Sequence, residues 1–290
     1  MKTSTMKTTI TSAELLPKLE EARTYVSNST VGFVRAYQIR QSKEPQPEDF
    51  VADLGGSGTL IQAGGSKGIL TADHVLDELP EAFGLVLPTT AREKHQQAIV
   101  QATRRIRVGR GTDASKGPDL ALIVLSPVDS ARLEAQGAVF YNLSARRARL
   151  HDQPLRLDKN SALVLCGMVG ERTCDISPTL GFERAMAFCG TFGPVVLAGS
   201  RQEQSHDYLS VEVMHDGDYT GPASFKGCSG GSLWHVELKR TGEGAIVVGD
   251  PLLCGVPFYE SGNDGGRSLI ECHGIKSVYD SAVDALQDSR

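Results

Sequence analysis

A chain of 290 residues, 40 % hydrophobic and 22 % charged, has the proportions of a soluble globular protein with room for one large or two ordinary domains. Its formal charge of −5 gives no reason to expect nucleic acid or acidic lipid as a partner. No apolar run approaches the roughly 18–20 residues that span a bilayer, so no membrane association is expected.

The first ten residues read as a disordered tail. They carry charge but not the apolar core of a signal peptide, which makes the cytoplasm the expected compartment. Leu15, Leu19, Ala22 and Val26 recur at helical spacing, and Pro17, tolerated only in a first turn, predicts that this helix begins near it. From Thr30 onward the chain breaks into short apolar runs punctuated by Gly, Pro, Asp and Asn. Strands are predicted at Val31–Tyr37, Gly58–Gln62, Gly68–Thr71, Phe83–Leu87, Arg104–Val108 and Leu120–Leu125. Gln41–Phe50 reads as a loop, and Ala91–Gln101 as either a helix or a long connection. The charge-rich stretch Asp129–Arg149 is read as a link between two halves. Further strands follow at Ala162–Cys166, Arg184–Phe188, Gly193–Ala198, Tyr208–Val213, Ser232–Leu238, Ala245–Gly249 and Gly255–Glu260. Lys276–Leu286 switches to helical period, with Ser277 as the expected N-cap. Many short strands with regular turns predict an all-β barrel or sandwich. The divisions are a tail and helix at 1–29, a first β unit at 30–150, and a second with the C-terminal helix at 151–290.

Six cysteines occur at 166, 174, 189, 228, 254 and 272, without a CxxC pair. A zinc cage is therefore not expected, and reduced buried thiols are preferred to disulfides. No metal or cofactor is predicted.

Three segments carry chemistry. In Phe225-Lys-Gly-Cys-Ser-Gly-Gly-Ser-Leu233, Ser229 stands between Gly227 and Gly230-Gly231, a turn that can expose a hydroxyl beside converging backbone N–H groups. In Gly68-Ile-Leu-Thr-Ala-Asp-His-Val-Leu76 an apolar strand runs into His74. In Gly117-Pro-Asp-Leu-Ala-Leu-Ile-Val-Leu125 an aspartate, Asp119, opens an apolar strand. A serine hydroxyl is a weak nucleophile that needs an adjacent base, the role read for His74, with Asp119 orienting and stabilising the imidazole. Gly227 and Ser229 are the candidate oxyanion-hole N–H donors. Cys228 is read as a structural thiol.

The order His74, Asp119, Ser229 resembles the chymotrypsin/trypsin-like serine peptidases, in particular the bacterial trypsin-like and HtrA-like protease domain without a PDZ domain. That family carries GxGxxI, LTxxHV, DLAxxxL and GxSGGxL, met here as Gly56–Ile61, Leu70–Val75, Asp119–Leu125 and Gly227–Leu233. The resemblance covers about residues 30–286. It implies two six-stranded antiparallel β-barrels followed by a C-terminal helix, and a serine endopeptidase working through an acyl-enzyme. It also implies a primary pocket with Ala223 at its floor and Phe258, Tyr259, Glu260 and Gly274 on its wall. Without an acid at the floor, an uncharged side chain is the expected preference.

The chain departs from the animal trypsin pattern in three places. Cys228 replaces the aspartate that pairs with a freshly cut N-terminus, so activation by trimming is not expected. Ser232 replaces a proline, and Phe258 stands where a serine often supports the catalytic aspartate. Protein or peptide substrates are the implied partners. A regulatory protein that orders the loop Asp216–Lys226 is a further candidate, as is selectivity for a narrow set of substrates. The competing reading is a catalytically silent protease-like module that binds peptides or scaffolds a complex. An α/β-hydrolase esterase would need Ser before Asp before His, the reverse of what stands here.

Overall fold

A computed structural model describes residues 12–38, 50–87, 97–152, 161–175, 186–187, 190–215, 221–264 and 266–288. The protein is mostly β, in two antiparallel sheets. The first is built from β1 (Thr30–Gln38), β2 (Phe50–Ala63), β3 (Ser66–Thr71), β4 (Ala82–Val86), β5 (Gln97–Gln101), β6 (Arg104–Arg110) and β7 (Asp119–Val124). Their order is β5-β4-β1-β2-β3-β7-β6, and the two-residue β8 (Tyr141–Asn142) adds a short parallel pairing to β2. β10 (Cys174–Asp175) and β11 (Met186–Ala187) form a separate small ladder.

The second sheet contains β9 (Ser161–Met168), β12 (Gly190–Glu203), β13 (His206–Met214), β14 (Ser232–Arg240), β15 (Ile246–Val248), β16 (Leu252–Asp264) and β17 (Arg267–His273). Its order is β15-β14-β16-β17-β13-β12-β9, and β14 also pairs with β9, so that six strands run round in a ring. β12 turns the corner by giving residues 190–195 to β9 and 196–203 to β13.

Alternation explains the packing. Phe33, Leu60, Ile69, Leu85 and Ile123 fill the first sheet's interior, and Leu165, Val211, Leu233 and Ile270 the second's. Another cluster joins the two, with Leu70, Leu120 and Leu122 meeting Trp234, Leu253 and the C-terminal helix.

The helices depart from expectation in instructive ways. α1 (Ser12–Ser27) begins before the predicted start and carries Pro17 in its second turn; Leu19 and Ala22 lie with Val236 and Leu238 of β14 and Ile246 of β15. The segment read as a polar link holds α3 (Pro127–Ala135) and α4 (Leu143–Asp152), separated by β8; the short α2 (Asp73–Glu78) follows β3. α3 starts with Pro127 in its first turn after Ser126, which accepts the Asp129 N–H at 3.0 Å and donates to its carboxylate at 2.8 Å. The end of Ala91–Gln101 is the strand β5, and its first six residues lie outside the described residues. So do the tail, most of the Gln41–Phe50 loop and the ends of Arg184–Phe188.

The C-terminal helix α5 (277–287) is a π-helical stretch, Ser277–Ala282, continued by Val283–Gln287. Ser277 is not its N-cap. Lys276 is already helical, and the cap comes from β13, where the Asp207 carboxylate accepts the Lys276 and Ser277 N–H groups at 3.0 and 2.7 Å. Ser277 instead uses its hydroxyl to hold Asp207. Among the described residues no helix is long and apolar enough to cross a membrane.

Candidate active site

β3 ends at Thr71 and the chain turns directly into α2, which carries His74 just past the end of this interior strand. β7 begins at Asp119 on the neighbouring strand, so strand pairing alone places acid and imidazole side by side. The carboxylate takes two bonds from His74, one from its backbone N–H to Oδ1 at 2.9 Å and one with ring Nδ1 to Oδ2 at 2.6 Å. The His74 side chain is 46 % exposed and that of Asp119 only 11 %.

Burial of the ring pulls the His74 pKa down, but the hydrogen bond and charge of Asp119, aided by Glu78 and Asp73, outweigh it and set it above the usual histidine value. Burial pushes Asp119 up, and its bonds with His74 and the Asp73 N–H overcome this, leaving the carboxyl below its ordinary range. Asp73 itself is buried, with Oδ2 2.8 Å from Arg107 Nη1.

The turn that carries Ser229 is a run of tight hydrogen-bonded bends. The Cys228 N–H donates to Phe225 O and the Gly231 N–H to Cys228 O, each at 2.8 Å. Gly227 sits at φ +99°, and a Cβ there would lie 2.6 Å from Leu54 Cδ2, so both backbone and space select glycine. From residue 223 to 231 the amides are spoken for with two exceptions. Ala223 and Ser224 N–H donate to Glu171, Phe225 N–H to Glu260, Lys226 N–H to Ser224 Oγ, and Gly230 N–H to Pro257 O. The Gly227 and Ser229 N–H groups have no acceptor among the described residues.

The turn is fastened to the first sheet. Ser57 N–H donates to Ser229 O at 2.8 Å, and Ser57 Oγ donates to Gly227 O at 2.6 Å while accepting the Met168 N–H at 2.7 Å. Thr59 Oγ1 donates to Gly231 O at 3.2 Å. Gly230 is packed on the segment leading to His74, since a Cβ on it would meet Thr71 Oγ1 and Ser57 O and lie 2.9 Å from Ala72 N. A Cβ on Gly56 would stand 2.8 Å from Val75 and 3.4 Å from Ser229 O. The backbone of Ser229 thus lies beside the His74 segment. Its hydroxyl is turned elsewhere, with Oγ 3.5 Å from Phe258 O, and among the described residues it has no hydrogen bond with the imidazole.

The residues read as a pocket differ in exposure, Ala223 and Tyr259 facing outward and Phe258 and Gly274 buried. Ala223 is exposed, in the loop held by Glu171. Tyr259 is exposed on β16, and Glu260 is half-buried, with Oε2 accepting the Phe225 N–H at 2.9 Å and the Ser224 hydroxyl at 3.1 Å. The Phe258 ring is buried against His273 and Tyr208, with centroids 4.9 and 6.0 Å away. Gly274 is buried at the start of the C-terminal helix, where a side chain would run into the Asp207 carboxylate. Of the loop Asp216–Lys226, residues 216–220 lie outside the described residues.

Cys228 is a buried thiol pushed well above its ordinary pKa, first by burial, which suits a structural role. Cys166, Cys254 and Cys272 are likewise buried and free, and the side chains of Cys174 and Cys189 lie outside the described residues. Ser232, in place of proline, opens β14 and accepts the Trp234 Nε1–H at 2.6 Å.

Sequence reading missed two residues. Ser57 lies within Gly56-Ser-Gly58, where only the neighbouring glycines drew notice. His273 closes β17 and is fully buried; its Nε2 accepts the Asp119 backbone N–H at 2.9 Å. A lone imidazole closing the stretch Leu269-Ile-Glu-Cys272, whose Leu269, Glu271 and His273 alternate with Ile270 and Cys272, was the available signal. No protein-family model matches the chain, and no curated protein matches it in sequence.

Proposed function

We propose that this chain is a serine endopeptidase hydrolysing peptide bonds through His74, Asp119 and Ser229, on a frame of two chymotrypsin-like β-barrels. What carries the reading is the pattern of amide hydrogen bonds. In the nine residues around Ser229 the two N–H groups left without an acceptor among the described residues are those of Gly227 and Ser229. Buried backbone donors are almost always paired, and these two lie on half-buried residues within a turn whose other donors all are. Two vacant donors flanking one serine suit an oxygen that gains negative charge.

In this mechanism Ser229 Oγ turns from Phe258 O, a contact at the limit of hydrogen bonding, and attacks the scissile carbonyl carbon. His74 Nε2 takes the hydroxyl proton, and Asp119, fixed on Nδ1, stabilises the imidazolium. The carbonyl oxygen, now an anion, accepts from Gly227 and Ser229 N–H. His74 returns the proton to the leaving amine, leaving the acyl group as an ester on Ser229. A water deprotonated by His74 then attacks the ester, and the carboxylic product leaves as Ser229 regains its proton. Losing one oxyanion donor costs about 10²–10³ in rate in enzymes of this type.

Ala223, Phe258, Tyr259, Glu260 and Gly274 are the proposed primary-pocket residues, accepting an uncharged side chain. The bonds that Glu260 accepts from the Ser224 hydroxyl and the Phe225 N–H, which engage its carboxylate, support this preference. The fastening of residues 223–225 by Glu171 and Glu260 favours narrow substrate choice over loop ordering by a regulatory partner. The four buried free thiols support the cytoplasm as the compartment.

One observation favours a second reading, a catalytically silent peptide-binding or scaffold module: the Ser229 hydroxyl is bonded to Phe258 O and not to the imidazole. A fluorophosphonate probe separates the two. The peptidase is labelled at Ser229, and Ser229→Ala abolishes both labelling and peptide hydrolysis while leaving the thermal melt unchanged. Absence of labelling from pH 6 to 9, or labelling confined to another serine, overturns the proposal.

A further inference from the structure

We propose that His273 is a positioning residue that holds Asp119 in the orientation from which it grips His74. The inference rests on the triad reading above and adds a member that reaches the triad from the second sheet. The peptide joining Pro118 to Asp119 gives its carbonyl to the Gly111 N–H on the β6 side, so its own N–H points the opposite way. On that edge β3 has already ended, its last pairing being Thr71 with Ala121. Asp119 is therefore the one residue of β7 whose inward N–H passes the end of its neighbour while its side chain must stay fixed. Buried at 8 % exposure, that N–H needs an acceptor, and His273 Nε2 supplies it at 2.9 Å.

The imidazole is held rigidly for this task. Its ring lies against Phe258 at 4.9 Å, Tyr208 at 5.1 Å and His206 at 5.6 Å between centroids. An accepting Nε2 places the ring proton on Nδ1, which is buried without a hydrogen-bond partner among the described residues. An apolar residue of similar size would avoid that unpaired donor; the histidine is retained with only its accepting nitrogen in use. The groups facing it are His206 and Tyr208 from β13, Arg201 from β12, Asp119 from β7 and the uncharged Phe258 from β16. Burial first, then repulsion from His206 and Arg201, set against attraction to Asp119, push its pKa down to about 3. The ring stays neutral, and hence an acceptor, across the range in which His74 titrates.

The test compares three variants by two readouts. His273→Gln keeps an acceptor at the reach of Nε2, His273→Leu removes it, and His273→Asn is polar but too short. The His74 pKa is followed by NMR, a readout that needs no catalysis, and fluorophosphonate labelling of Ser229 is timed alongside. Loss of the Asp119 anchor in His273→Leu and His273→Asn is expected to lower the His74 pKa by about one unit. Labelling should slow about a hundredfold, as expected for a displaced catalytic group. His273→Gln should keep the pKa and label within about threefold of the wild type. An unchanged His74 pKa in both the Leu and Asn variants, or equal impairment in all three, overturns the role of His273. A wild type that escapes labelling while its His74 pKa still responds to these substitutions overturns the peptidase reading and upholds this one.

Discussion

Replacing Ser57 with alanine removes one oxygen atom from a fully buried position and, on the proposed peptidase reading, should loosen the Ser229 turn while leaving the His74–Asp119 pair in place. Ser57 Oγ holds Gly227 O and receives the Met168 N–H. The carbonyl it holds belongs to the peptide between Gly227 and Cys228, whose N–H is held by Phe225 O. With both ends of that middle peptide fixed, the peptides on either side present the Gly227 and Ser229 N–H groups together. Each buried group left unpaired costs about 1–3 kcal/mol. Met168 is fully buried and bears that cost, whereas half-buried Gly227 recovers part of it from solvent. A loss of about 2–4 kcal/mol follows. For a chain near this size it lowers Tm by roughly 4–16 °C, readable by calorimetry. The proposed oxyanion donors, the Gly227 and Ser229 N–H groups, would lose alignment without being deleted. Phosphonate labelling and kcat should then fall about 10–100-fold, with KM little changed. A Ser57→Ala protein with unchanged Tm and unchanged labelling would refute this account of the turn.

Two further outcomes follow from the same geometry. Gly230 and Gly266 share φ +81°, but a Cβ at Gly230 meets Thr71 and Ser57 whereas one at Gly266 meets open space. Gly266→Ala should cost only backbone strain, about 1–2 kcal/mol, and Gly230→Ala about 3–5 kcal/mol with loss of labelling; equal melting shifts would contradict the packing. Asp119 raises the pKa of His74, so labelling should rise with pH through a midpoint above 6.5. The contribution of His74 to stability runs the opposite way, fully present below 6.5 while Asp119 stays ionised, and lost as pH rises through the raised value. Asp119→Asn should move the labelling midpoint down, and a wild-type rate flat from pH 5 to 8 would remove His74 from the base role.

What was legible in the sequence was local. Apolar period and punctuation located β3, β7, β13 and β14, and the triad candidates sit at strand ends that such patterns mark. The two helices within 127–152 went unread because their charge suggested a linker; Arg146, Arg147 and Arg149 outweigh the few apolar residues of α4. α3 did carry its signature, Ser126-Pro-Val-Asp129, a capping pair with proline in the first turn. The contacts that position the site were beyond reach because they join distant residues. Asp119 and His273 are 154 residues apart, Ser57 and Gly227 170, and the Asp207 cap and Ser277 70. No spacing rule connects such pairs; only strand register brings them together.

The nucleophile turn is also a seam. Ser57 and Thr59 of the first sheet bind Ser229 and Gly231, and Pro257 of the second binds Gly230, so both halves grip the same five residues. Neither half can shape that turn alone. Parting the halves would remove hydrogen bonds from both sides of the Ser229 turn at once.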